Sequence, residues 1–236
     1  MTTVAAELQK RLAALGDPRV AEGSRRFFKT GPGEYGEGDL FRGIRVPALR
    51  GLAKEFQSVS PPEAERLLGS TFHEDRLLAL LILVRLYSRG DEASREEIYR
   101  LYLNNTQHIN NWDLVDSSAE HIVGAHLRDR SRAPLGRLAK SEDLWERRIA
   151  ILATFHFIKR GEFQETLDIA RALLSDREDL IHKAVGWMLR EVGKRDPAAE
   201  EEFLKEHYRR MPRTMLRYAV ERFPEEKRQP FLKGEV

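Results

Sequence analysis

The stretch LIHKAVGWMLREVGKRDP (residues 180–197) decides the fold. Ile181, Val185, Met188 and Val192 recur at steps of four, three and four, the buried stripe of an amphipathic helix. At about 100° per residue, Trp187 points more than a quarter-turn away from that stripe and shares its direction with Lys183, Arg190 and Lys194. Two earlier stretches have the same build: DRLLALLILVRLYSRGDE (75–92) and ERRIAILATFHFIKRGEF (146–163). Each closes on a basic residue followed by Gly or Asp, and those closing positions, Arg89, Arg160 and Arg195, are spaced by 71 and 35 residues. A period near 35 suits a two-helix solenoid unit, and stacked units present a concave face to an extended partner.

The rest of the chain agrees with helix after helix. Pro18, Pro47, Pro61, Pro197, Pro212 and Pro224 sit where helices begin, a position at which the missing amide costs nothing. No alternating strand followed by a hairpin turn is evident. The expectation is an all-α protein of roughly a dozen helices, one repeat array over residues 1–236. GPGEYGEGDLFRG (31–43), with five glycines, is the loop-rich exception and reads as a connector or a flexible flap.

Composition narrows the function. With 40 basic and 38 acidic residues the formal charge is +2, so a nucleic-acid surface requires local segregation of charge. The absence of cysteine excludes disulfides, thiol catalysis and cysteine-ligated zinc. The seven histidines form no metal-binding pair on a helix face, and no phosphate loop, GxGxxG or GxSxG occurs, so neither a metal nor a cofactor is expected. MTTVAAELQKRL lacks the order of a signal peptide, and the longest apolar run, Leu77 to Val84, is too short to span a bilayer. A cytoplasmic monomer is expected.

Three positions disobey the packing pattern. Trp187, a large ring among Lys183, Arg190 and Lys194, reads either as covered by a neighbouring repeat or as part of a surface for something anionic and flat, such as nucleic acid. In NNWDLVDSSAEHIVGAHL (110–127), Trp112 and Asp116 project onto the same face as Val115, Ala119, Ile122 and Val123. Asp116 is then a buried ion-pair partner or cap, or a carboxylate that stabilises developing positive charge and orients water. Arg148 lies in the middle of the apolar direction set by Ile151, Leu152 and Phe155. It either meets Asp116 or holds a phosphate in a groove. HYRRMPRTMLRYAVERF (207–223) carries Arg209, Arg210, Arg213 and Arg217, either a solvated face, with Glu221 four residues after Arg217, or a second phosphate contact.

NNWDLVDSSAEHIVG (110–124) and LWERRIAIL…IHKAVGWMLREVGKRDP (144–197) resemble the DNA alkylation repair family of AlkD-like alkylpurine DNA glycosylases, most firmly over residues 75–197. The resemblance implies a right-handed solenoid of HEAT-like repeats with a concave basic groove. It also implies removal of 3-methyladenine and 7-methylguanine from duplex DNA without flipping the base out. Trp112 and Asp116 match the catalytic tryptophan and aspartate, Trp187 a second groove tryptophan, and Arg148 a backbone-contacting base. Lys183, Arg190, Lys194 and Arg213 are the further DNA-binding candidates. Asn111 departs from the pattern, which has a tryptophan there. Segments 31–43 and 211–221 resemble a sister subgroup, and the superfamily includes members that lost excision. The competing reading is a non-catalytic helical-repeat module for distorted or branched nucleic acid, or for a protein partner.

Overall fold

A short polar side chain opens many of the helices. Thr3, Asp17, Asp91, Asn111, Asp143 and Asp196 each accept a hydrogen bond from an amide of the turn that follows, satisfying donors that have no partner within the helix. The computed structural model describes residues 3–56 and 58–236. These residues are all-helical, with no strand among them; Leu40 and Phe72 form an isolated parallel bridge. Among the described residues no helix is long and apolar enough to cross a membrane.

The chain divides into two compact units, Met1–Ile122 and Val123–Val236. The first contains α1 (Val4–Leu15), α2 (Pro18–Phe27), α3 (Val46–Glu55), α4 (Pro61–Leu68), α5 (His73–Arg89), α6 (Glu92–Asn104) and α7 (Trp112–Asp116). Leu77, Leu78, Ala79, Leu80, Ile82 and Leu83 are all buried, so α5 is apolar nearly all round and is the core helix of this unit. It packs against α3, α4, α6 and α7.

The second unit contains α8 (Ala133–Leu138), α9 (Leu144–Ala153), α10 (Phe155–Ile158), α11 (Gln164–Ala172), α12 (Asp179–Gly193), α13 (Pro197–His207), α14 (Arg213–Ala219) and α15 (Glu225–Lys233). Its core helix is α12, which packs against α9, α11, α13 and α14. The expected stripe holds: Ile181, Val185, Met188 and Val192 are fully buried. The stretch 146–163, read as one helix, breaks at Thr154, whose hydroxyl donates back to the Ile151 carbonyl at 2.7 Å. The prolines cited above do stand at helix starts, but Pro230 lies inside α15.

The glycine-rich segment is a tied connector at its C-terminal end and not a flap. Four consecutive polar residues in the first turn of α5, His73, Glu74, Asp75 and Arg76, are buried beneath it. The Glu74 carboxylate accepts the amides of Arg42, Gly43 and Ile44 at 2.9, 2.8 and 3.2 Å. Asp75 takes Arg42 in a two-point ion pair, and Asp39 takes Arg76 at 2.7 Å. Gly43 has φ +80°, and a β-carbon there would stand 2.0 Å from the Asp17 carbonyl oxygen, so the crossing over α2 requires glycine.

Candidate functional site

Asn111 starts α7: its fully buried side chain accepts the amide of Trp112 at 2.8 Å. The position that departs from the family pattern is thus filled by a residue that caps the helix carrying Trp112. After one turn the helix loosens, and a π-helical turn follows at Glu120–Gly124, a feature often found beside functional residues. This break changes the expected face. Val115, Ala119, Ile122 and Val123 are buried to 0%, whereas Trp112 and Asp116, one turn apart, remain half-exposed. They do not share the buried face, and they lie together on the open side of α7.

Trp112 is held by rings that the sequence reading did not single out. Phe28 stacks on it with centroids 5.4 Å apart, and Phe27 meets it edge-on at 5.8 Å. Behind Phe28, the rings of Phe41 and His73 continue the stack. His73 is buried, with Nε2 2.9 Å from Asp113 Oδ2 and Nδ1 3.3 Å from Asp39 Oδ2. Burial alone would lower its pKa, but the bonds to Asp113 and Asp39 outweigh that and hold it at about 9. The ring is therefore an imidazolium at neutral pH, donating from both nitrogens. For Asp39, burial is opposed by the His73 bond and the Arg76 charge, which keep the carboxyl below the usual range. The network ties the first turn of α7, through Asp113, to the first turn of α5.

Asp116 also borders the buried Tyr102. That hydroxyl bonds Ser118 Oγ at 2.9 Å, and burial, with a contribution from the Asp116 charge, raises its pKa well above the ordinary value.

In the second unit Trp187 is half-exposed, lies 6.0 Å from Phe155 and donates its indole N–H to Glu191 at 3.3 Å. It does point away from the buried stripe. Its three basic neighbours are not a free cationic cluster, however. Lys183 pairs with Asp179 at 2.7 Å, Arg190 with Glu221, and Lys194 with Glu191 at 2.5 Å. Glu191 is buried and also takes Arg195, and these bonds hold its carboxyl low against the effect of burial. The Lys183–Asp179 pair is exposed, of a kind that contributes only about 0–1 kcal/mol, whereas Lys194 is paired with the buried Glu191.

Arg148 is not an open groove cation. It is 5% exposed and donates from Nη1 to the Leu180 carbonyl at 2.5 Å, because a guanidinium among apolar groups needs acceptors. Arg213 is exposed and donates to the Leu232 carbonyl. Glu221, which the spacing offered to Arg217, is taken by Arg190 instead. Among the described residues no group of three or more His, Asp or Glu could hold a metal ion.

Fold and site together define an all-helical protein with a half-exposed tryptophan and a half-exposed carboxylate one helical turn apart. The family model for the DNA alkylation repair enzyme matches residues 8–223, and the chain belongs to that family. Among solved structures, it is similar to a predicted DNA alkylation repair enzyme from Enterococcus faecalis, with TM-score 0.68 and 18% identity over 89% of this chain and 97% of that one. At that identity the likeness speaks for the fold alone. A search of curated proteins finds no match.

Proposed function

We propose that this chain is a monofunctional glycosylase that hydrolyses the N-glycosidic bond of cationic alkylated purines, 3-methyladenine and 7-methylguanine, in duplex DNA. The observation that carries the reading is the placement of Trp112 and Asp116 one turn apart on the half-exposed side of α7. An alkylated purine already bears positive charge, so its leaving requires no general acid. The C1′–N bond breaks with its electron pair passing to the base, and the deoxyribose becomes an oxocarbenium ion. Asp116 stabilises that cation and orients the water that adds to C1′, the kind of electrostatic term that often dominates catalysis. Trp112 and Trp187 pack on the sugar and backbone. No step requires a metal or cofactor, and the base need not leave the stack, in contrast to most enzymes of base chemistry.

In this reading the helices form a HEAT-like solenoid whose basic concave groove receives the duplex. Lys183, Lys194 and Arg190 exchange their carboxylate partners for phosphates, and Arg213 adds a further backbone contact. Arg148, being buried, supports the site from within. The alternative is a recognition module without catalysis, for which a basic face serves equally, and a ligand that imitates only the reacting sugar separates the two. A duplex with a cationic azaribose in place of one nucleotide should bind at least about 10²-fold tighter than one with a neutral tetrahydrofuran site, and Asp116→Asn should abolish the preference. Equal affinities for the two duplexes in the wild-type protein would favour the recognition module.

A further inference from the structure

The sequence directs attention to the basic residues around Trp187, yet each of those cations has a carboxylate. The less occupied charge lies elsewhere. Of the ten residues of α2, PRVAEGSRRF, only Ala21 is buried. Val20, Gly23, Ser24 and Phe27 fall at steps of three, one and three, the spacing of a stripe that a helix ordinarily buries. Here the described residues leave the stripe uncovered: Gly23 and Phe27 are exposed, Val20 and Ser24 half-exposed. Phe27, at 64%, is the most exposed large apolar side chain among the described residues. It is also the ring set edge-on against Trp112.

Arg19 and Arg45 flank this stripe, and with Val20, Gly23, Ser24 and Phe27 they line a shallow open depression. Both are exposed, and among the described residues neither forms an ion pair; nor does Lys29, just beyond the helix. Arg25 and Arg26 share the single carboxylate of Glu22. A β-carbon at Gly23 would meet nothing within 4 Å, so the helix backbone itself is open to approach there. The pattern, an exposed phenyl ring between unpaired guanidinium groups over a bare stretch of helix, matches how proteins press an apolar side chain on DNA while arginines take the adjoining phosphates.

We propose that the Arg19–Gly23–Phe27–Arg45 face of α2 is a contact surface for duplex DNA, with Phe27 laid against a sugar or base step beside Trp112 and the two arginines on phosphates. The inference goes beyond the glycosylase reading and requires only a DNA partner, so it is tested on unmodified duplex, where no base is released.

The experiment is fluorescence anisotropy with a labelled duplex over a salt series. Phe27→Ala should weaken binding at least about fivefold, and Phe27→Trp should restore it. Removing both arginines (Arg19→Ala with Arg45→Ala) should lower the slope of log affinity against log salt by about two, because each phosphate contact contributes roughly 0.9. Gly23→Gln, which the open space tolerates without refolding, should weaken binding by filling the depression. Arg26→Ala, away from the stripe and paired with Glu22, should change the slope by clearly less than one. Unchanged affinity in Phe27→Ala and Gly23→Gln, or a slope that falls as far with Arg26→Ala as with either stripe arginine, would overturn the proposal. No base is released from this unmodified duplex, so a failure here stays distinct from a failure of the catalytic reading, which is read by base release alone.

Discussion

His73 shows how one residue sets the position of another. Its imidazolium lies between Asp113, the neighbour of Trp112, and Asp39 in the loop segment. The folded pKa is raised above the ordinary histidine value, to about 9. Its contribution to stability is therefore fully present below about pH 6.5 and is lost as pH rises through about 9. Urea unfolding at pH 6.5 and 9.5 should show a loss of order 3 kcal/mol in the wild type that His73→Gln does not share. An equal loss in both proteins would contradict a charged His73. Nothing in the sequence alone pointed to this residue. HEDR ahead of LLALLIL carries no apolar residue, and the partners that let His73 be buried, Asp39 and Asp113, lie 34 and 40 residues away. Asn111, by contrast, was visible as a departure but not as the buried cap it turns out to be.

At the scale of the helix, the periodic apolar pattern was enough to place α12 and its buried stripe, and Trp187 does lie off that stripe. The breaks were not legible. The interruption after Asp116 and the one at Thr154 depend on hydroxyl back-bonding and on close packing, and the first of them moves Trp112 and Asp116 off the buried face. Of the pairs around Trp187, Asp179–Lys183 and Glu191–Lys194 have the spacing of helix neighbours and could have been read directly. Arg190–Glu221 could not, because it joins residues 31 apart. Gly186 marks a close helix crossing on α12: a β-carbon there would stand 2.4 Å from the Met215 carbonyl oxygen and 2.5 Å from Tyr218 Cβ, both on α14. Alanine is the better helix former by about 1 kcal/mol, yet Gly186→Ala should destabilise the protein by about 1–3 kcal/mol, since the obstacle includes backbone. A urea midpoint equal to or above that of the wild type would show that α12 and α14 are not locked at this crossing.

For the whole molecule, the near balance of 40 basic and 38 acidic residues means that DNA affinity rests on where charge is left unpaired. Composition could not locate that charge. The Arg190–Glu221 pair, and Arg19 and Arg45 without an ion pair among the described residues, emerge only from the three-dimensional arrangement. The all-helical class and the family followed from periodicity and from the WDLVD and KAVGWMLRE strings, which local sequence carries in full. The catalytic claim rests on Asp116, and the direct measurement is release of 7-methylguanine from a methylated duplex by the wild-type protein and by Asp116→Asn at the same salt concentration. The account predicts release by the wild type and a loss of about 10² or more in the variant, with DNA binding retained. Release by Asp116→Asn at the wild-type rate, or background-level release by both proteins with binding intact, would contradict it.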